Sequence, residues 1–197
     1  MAGPAYARES EKAGETDRDW VVRARAGDGV AFEAIVRCYQ RRVYGLALRM
    51  TRRHELADEI TQEAFVRAYT NLERFELGRP LAPWLMRITL NLALNYLSSS
   101  PVRREESLSD GEAAAEPART DLEADPLRSL LSSEFQRAFQ QAVEKLPADQ
   151  KAVFVLKVQE EMRYQEIAQT LGISLGTVMS RLSRARAKLK TMLEDYL

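Results

Sequence analysis

Apolar residues in this chain recur at steps of three and four, which is the spacing of one buried face of an α-helix. The pattern covers residues 31–50 and 56–72, and a third helix is predicted at about residues 84–97. Before that third helix, regularity is interrupted by Gly78, Pro80 and Pro83. No alternating apolar and polar run is long enough to indicate a strand, so the sequence predicts an all-α fold.

An acidic segment divides the chain into two helical parts. Between Glu105 and Pro126 there are eight acidic residues and one basic residue, interspersed with Ala, Ser and Pro, and this composition cannot form a core. The sequence therefore predicts two small helical domains, residues 19–104 and 132–197, joined by a flexible acidic linker over residues 105–131. Residues 1–18 show no apolar periodicity and are predicted to form a disordered tail.

Rare residue types limit the chemistry of this chain. Its 197 residues contain one cysteine, Cys38, and one histidine, His54, which excludes an intramolecular disulfide, a Cys and His zinc cluster and a His-based triad. The 29 basic residues balance the 29 acidic ones, and no apolar run approaches the roughly 18 residues of a membrane span. We expect a cytoplasmic protein with no catalytic residue, no cofactor, no metal and no membrane insertion.

The sharpest local pattern is the segment 164–186, YQEIAQTLGISLGTVMSRLSRAR, which has the layout of a helix-turn-helix. Gly172 permits the left-handed turn, and Ser174 can cap the second helix. From Ser174 to Lys190 there are five basic residues and no acidic one, so positive charge is concentrated where a recognition helix would meet DNA. The buried stripe of this helix is predicted to consist of Leu175, Val178, Leu182, Ala185 and Leu189.

Longer segments resemble the sigma-70 superfamily of promoter-specificity factors. LPADQKAVFVLKVQEEMRYQEIAQTLGISLGTVMSRLSRARAKL resembles the domain that binds the −35 promoter element. HELADEITQEAFVRAYTNLERF, followed by WLMRITLNLALNYL, resembles the domain that binds core RNA polymerase and the −10 element. No long domain lies between them, as in the extracytoplasmic-function (ECF) sigma factors. The resemblance implies a bacterial factor without enzymatic activity that promotes strand opening for transcription of a stress or signal regulon.

The resemblance also implies partners and site residues in the first domain. The partners are core RNA polymerase, through its β′ clamp helices and its β subunit, promoter DNA and an anti-sigma factor. The patch expected to face the clamp helices consists of Asp58, Glu59, Gln62 and Glu63. The residues expected to read the melted −10 strand, beside the loop ELGRPLAPW, are Phe75, Arg87, Asn91, Asn95 and Tyr96. Core packing is an equal alternative for Phe75 and the favoured one for Trp84.

In the second domain, the resemblance implies contacts with the −35 duplex from one face of the recognition helix. The residues are Thr177, Ser180, Arg181, Arg184 and Lys188, with Arg186 as a further phosphate or scaffold contact. Two residues depart from the family pattern. Met179 replaces a usual Lys or Arg, and Arg163 replaces a usual Ser or Thr cap, so a promoter sequence cannot be copied from relatives.

Two other classes of protein stay open from the residues alone. A stand-alone, dimeric helix-turn-helix regulator would use the first domain to sense a ligand or a partner, but it would need neither the acidic patch nor the ITLNLALNYL helix. An enzyme is disfavoured because the sequence places no nucleophile, base and orienting group together. Cys38 lies within the first amphipathic helix, and His54 lies in a polar turn. For the acidic linker, the resemblance implies a path toward the active centre and RNA exit path of the polymerase, and a solvated tether explains the same composition equally well.

Overall fold

The structure is a computed structural model that describes residues 16–99 and 126–196. Within these residues the chain forms eight α-helices and two short 3-10 turns, and no β-strand occurs there. The helices fall into two units of four, as expected from the position of the acidic segment. The all-α prediction is therefore confirmed. Most of the predicted acidic linker lies outside the described residues.

The first unit is built around its longest helix. It contains α1 (Asp17–Arg25), α2 (Gly29–Thr51), α3 (His54–Thr70), a 3-10 turn (Leu72–Arg74) and α4 (Leu81–Ser99). Helix α2 packs against each of the other three helices, and α3 also packs against α4. The core that these contacts enclose is apolar, and its largest fully buried side chains include Ile35, Leu46, Met50, Leu85, Met86 and Leu90. A polar residue in this core, Thr89, donates its hydroxyl proton to the Leu85 carbonyl at 2.9 Å.

Helix α1 is an element that the sequence analysis did not predict, and it begins inside the predicted tail. Thr16 caps it: the Thr16 backbone N–H donates to Asp19 Oδ2 at 3.0 Å, and the Thr16 hydroxyl accepts from the Asp19 N–H at 3.4 Å. Trp20, Val21 and Ala24 are buried, so α1 belongs to the domain core. The predicted tail boundary at residue 18 is therefore wrong, because a nine-residue helix shows too few turns of periodicity. Residues 1–15 lie outside the described part of the chain.

The turn between α1 and α2 is closed by a charged pair. The Arg23 guanidinium lies 2.7 Å from Asp28 Oδ2, while Asp28 Oδ1 accepts from the Val30 N–H at 3.0 Å and so caps α2. The Arg23 side chain, together with the N–H groups of Ala31 and Val30 that donate to Oδ1, holds the pKa of Asp28 below its ordinary value of 3.8. The contribution of Asp28 to stability is therefore complete at neutral pH and is lost as the pH falls through the lowered pKa.

The second unit contains α5 (Pro126–Glu144), α6 (Ala148–Val158), α7 (Tyr164–Leu171), α8 (Leu175–Met192) and a terminal 3-10 turn (Glu194–Tyr196). Helix α8 packs against α5, α6 and α7. Helix α6 is buried along most of its length, and Val153, Val155 and Leu156 are at most 1% exposed. The break predicted at Pro147 is confirmed, since this proline directly precedes the first turn of α6.

Helix α5 begins earlier than predicted. The predicted linker extends to residue 131, whereas the helix starts at Pro126. Proline is compatible with the first position of a helix because its missing N–H has no intrahelical partner there and its φ already fits a helix. The linker boundary is therefore corrected to residue 125, and the rest of that linker lies outside the described residues.

Candidate nucleic-acid and partner interfaces

The acidic patch predicted on the first unit lies on one exposed side of α3. Asp58, Glu59 and Gln62 are exposed, whereas Leu56 and Ile60 of the same helix are buried. Glu63 is half-buried, and its Oε1 lies 2.6 Å from Nε of Arg67, one helical turn further on. This face of α3 therefore presents two exposed carboxylates and one exposed amide in its N-terminal half, and an ion pair at its centre.

The patch borders a groove between α3 and α4. The groove has a volume of about 360 Å³, and its lining residues are Leu56, Glu59, Ile60, Glu63, Leu92, Asn95 and Tyr96. The family resemblance implies that the glutamates face the polymerase and that Asn95 and Tyr96 read the −10 strand. The structure brings members of both sets to one groove, which no spacing along a single helix could reveal.

Helix α4 presents a polar row on its exposed side. Arg87, Asn91 and Asn95 repeat every four residues and are all exposed, while Leu85 and Leu90 on the opposite side are buried. The guanidinium can hold phosphate oxygens, and the two amides can both donate to and accept from base edges. Tyr96 is half-buried beside this row. Four of the five residues predicted for the −10 strand therefore lie on one helix with solvent access.

Phe75 differs from these four residues. It is 6% exposed, and its ring centroid lies 5.1 Å from that of Trp84, which is half-buried. The ring is part of the core in this structure, as the alternative in the sequence analysis allowed, and it presents no face to a base. The loop residues 76–80 are exposed, and Leu77, at 40% exposure, is the apolar side chain of this loop that lies open. Leu77 is not among the residues predicted from the sequence.

The helix-turn-helix geometry follows the predicted pattern closely. Gly172 ends α7 with a left-handed φ of 65°, and Ser174 caps α8 by accepting from the Thr177 N–H at 3.0 Å. Val178, Leu182, Ala185 and Leu189 are buried as predicted. Leu175 is 42% exposed instead, because it occupies the first position of the helix, beyond the surface that α8 packs against its neighbours.

The N-terminus of α7 compensates for the missing Ser or Thr cap. The Arg163 side chain has no acceptor for a backbone N–H, but its own N–H donates to Glu166 Oε2 at 2.6 Å. This bond is one half of a capping box, and it also places a carboxylate in the first turn, where the helix dipole favours negative charge. The departure at Arg163 is therefore tolerated by the fold.

Residues predicted to contact the −35 duplex differ in how free their side chains are. Arg184 and Lys188 are exposed, as is Met179 at 53%. Thr177 and Ser180 are half-buried; Ser180 donates its hydroxyl proton to the Thr177 carbonyl at 3.1 Å. Arg184 and Lys188 lie one helical turn apart and form a basic surface on α8. Arg186 is also exposed but, two residues from each of them, lies on another side of the helix.

Arg181 is held by an intramolecular ion pair. Its Nε lies 3.1 Å from Oδ2 of Asp149, in the first turn of α6, and its side chain is only 29% exposed. A direct contact between Arg181 and DNA requires this pair to open or to be shared. Asp149 could not be predicted from the sequence, because it lies in another helix and only the packing of α6 against α8 brings the two charges together.

Removing the Ser174 cap of α8 tests how much this cap stabilises the helix-turn-helix. We expect Ser174→Ala to lower the free energy of unfolding by about 1 kcal/mol, because the Thr177 N–H loses its acceptor. Ser183→Ala is the matched control, since Ser183 is an exposed residue within the same helix. Chemical denaturation monitored by circular dichroism measures both changes. Equal destabilisation by the two substitutions would contradict the role of the cap.

No group of three or more His, Cys, Asp or Glu side chains in the part of the chain that the structure describes is arranged to hold a metal ion. Cys38 is half-buried, and His54 is exposed with its Nδ1 hydrogen-bonded to the Tyr44 hydroxyl. None of the described helices is long and apolar enough to cross a membrane.

Comparisons with known proteins agree with this arrangement. The family model for Sigma-70 region 2 matches residues 35–100, and that for Sigma-70 region 4 matches residues 136–189. The chain is 34% identical over 181 residues to the ECF RNA polymerase sigma factor SigW of Bacillus subtilis. This alignment covers 89% of this chain and 95% of the relative.

Solved structures show the same architecture. CnrH, in complex with the cytosolic domain of CnrY, is similar with a TM-score of 0.63 and 26% identity, over 92% of this chain and 99% of CnrH. The sigma factor RpoE in complex with the anti-sigma factor NepR from Bartonella quintana shares the fold, with a TM-score of 0.62 and 23% identity over 83% of this chain and 96% of that one. With its region 2 and region 4 helices in place, the chain belongs to the ECF RNA polymerase sigma factors, non-enzymatic transcription initiation factors that bind core RNA polymerase and promoter DNA.

Proposed function

We propose that this sigma factor divides its work between three surfaces. The acidic patch of α3 binds the clamp helices of the β′ subunit, the polar row of α4 reads the melted −10 strand, and the basic surface of α8 reads the −35 duplex. The observation that carries the proposal is the segregation of exposed groups: carboxylates on α3, amides with one arginine on α4, and cations on α8. Comparing Asn91→Ala with Arg184→Ala on promoters that differ in a single element tests it directly.

The chemistry of each surface suits its proposed partner. Melted DNA exposes the base edges that amides recognise, so the row of Arg87, Asn91 and Asn95 can combine a phosphate contact with two base contacts. Duplex DNA instead offers phosphates and the major groove, which a capped helix with exposed Arg184 and Lys188 can enter. We assign Phe75 to the support of the −10 loop, because its ring packs on Trp84.

A substitution at Met179 tests the −35 surface by adding a contact to DNA. It is exposed on α8, so Met179→Arg should raise the affinity for a −35 duplex and steepen the slope of log affinity against log salt by about 0.9, as expected for one new phosphate contact. Met192→Arg at the end of the same helix is the control. Fluorescence anisotropy over a range of salt concentrations measures both. An equal gain from the two variants would show that added charge acts without regard to position, and would count against this surface.

A regulatory protein that occupies the α3–α4 groove is the second part of the proposal. The groove combines apolar side chains, such as Leu56 and Leu92, with Glu59 and Glu63 at its edge, so it suits an amphipathic helix that carries basic residues. Because the same two glutamates belong to the patch proposed for polymerase, such an anti-sigma factor would compete with core enzyme. The similar protein CnrH is known in complex with the cytosolic domain of CnrY. We place this chain in the cytoplasm as well, where it serves a stress or signal regulon.

A further inference from the structure

The loop that precedes α4 is held by an arginine of α1, which lies before the segment that the Sigma-70 region 2 model matches. Arg25, the last residue of α1, donates from its Nε to the Leu72 carbonyl at 2.9 Å, and its terminal nitrogen Nη2 donates to the Phe75 carbonyl. Arg25 is half-buried at this contact. The Sigma-70 region 2 match begins at residue 35, so α1 and its arginine lie before it.

These two carbonyls mark the entrance of the loop. Leu72 is the first residue of the 3-10 turn and Phe75 directly follows its last one, after which the exposed residues 76–80 lead into α4. The side chains of Leu72 and Phe75 are both buried, whereas Gly78, in the middle of the loop, has a φ of 103° that favours glycine. The backbone is therefore fixed at the entrance. Beyond it, the Arg79 N–H donates to the Glu76 carbonyl at 3.2 Å and the two side chains form an ion pair, so the loop is closed on itself and presents Leu77 to solvent.

Helix α1 is a firm support for Arg25. Trp20, Val21 and Ala24 bury its inner face, and the hydroxyl of Tyr39 on α2 donates to Asp17 Oδ2 at 2.6 Å. A guanidinium is planar and presents several donors in a fixed arrangement, so it can hold two carbonyl oxygens at once. A lysine ammonium is a point charge on a flexible stem and holds them less precisely.

We propose that Arg25 is a positioning residue for −10 recognition. Arg25 joins α1 to the start of the 3-10 turn and to the residue that follows it, and so fixes the position of the loop of residues 76–80 relative to the polar row of α4. The position of this loop determines which bases of the melted strand fit beside the polar row. The inference rests on the proposed −10 role of α4. Arg25 itself contacts the protein backbone and need not touch DNA.

The test measures the ratio of transcript from a promoter with its own −10 element to transcript from single-base −10 variants, using polymerase holoenzyme. We expect Arg25→Met to reduce this ratio by about tenfold, the scale of losing hydrogen bonds from a charged donor, and Arg25→Lys to recover part of it. Arg23→Met is the matched control: it removes an arginine of α1 that pairs with Asp28, and it should leave the ratio unchanged. Because each ratio is taken within one protein, a loss of folded protein cancels.

The outcomes separate this inference from the function on which it rests. If Arg25→Met lowers transcription from every −10 variant by the same factor, Arg25 is only a structural residue and the inference is overturned. Asn91→Ala is measured in parallel. A lower ratio for Asn91→Ala with an unchanged ratio for Arg25→Met overturns the inference alone, whereas the reverse result supports Arg25 and overturns the −10 role of Asn91. Unchanged ratios for both overturn both.

Discussion

Replacing Asp58 and Glu59 together with lysine should abolish stable binding to core RNA polymerase. Both side chains are exposed on α3, and Glu59 also lines the groove beside α4. A basic partner surface would meet two like charges in place of two opposite ones, and like-charge contacts across an interface cost several kcal/mol, so we expect the affinity to fall by about 100-fold or more. Titration of core enzyme against the fluorescently labelled protein measures this loss.

A matched variant separates this effect from a general change of charge. Glu33 and Glu73 are exposed acidic residues of the same unit that lie outside the patch, and replacing both with lysine changes the net charge by the same amount. This control should bind core enzyme nearly as tightly as the unchanged protein. If it loses as much affinity as the Asp58 and Glu59 variant, long-range attraction accounts for binding, and the assignment of the patch is wrong. Melting curves show that both variants are folded.

Arg184→Ala and Asn91→Ala should impair different promoter elements. Arg184 is exposed on the basic surface of α8, so its loss should reduce initiation about ten- to hundredfold on a promoter that depends on its −35 element, as for a base or phosphate contact in the major groove. Asn91 lies in the polar row of α4, so its loss should reduce discrimination among −10 sequences or slow strand opening. Run-off transcription on promoters with one altered element measures both.

The pattern of the two losses decides the division of labour. On promoters that differ only in the −10 element, Arg184→Ala should lower all transcripts by a common factor, whereas Asn91→Ala should change their relative amounts. A template that is already unpaired across the −10 element should rescue a defect in opening but not a defect in −35 binding. Identical behaviour of the two variants on the −10 series would contradict separate roles for α4 and α8.

Features that follow from one helix could be predicted from the sequence. The buried face of α2 and the turn and cap at Gly172 and Ser174 depend on spacing and on the conformational preferences of single residues, and the structure shows them as expected. The resemblance to a family added what spacing does not carry, namely the partners of each surface.

Features that depend on packing between helices could not be predicted in this way. The pair of Arg181 with Asp149 and the hold of Arg25 on the 3-10 turn join residues far apart in the sequence, so no periodicity marks them. Helix α1 was missed because a short helix after a polar stretch carries few apolar positions. Phe75 shows the same limit, since an aromatic residue before a loop suits a base-stacking surface and a core equally well.

Run-off transcription with purified core RNA polymerase, with and without this protein, tests the central claim most directly. The templates are a pool of promoter fragments from the source genome. We predict discrete start sites that depend on the protein, and an alignment of their upstream sequences should yield one −35 and one −10 element. An absence of protein-dependent transcripts, together with tight binding of the free protein to duplex DNA as a dimer, would contradict a sigma factor and indicate a stand-alone regulator.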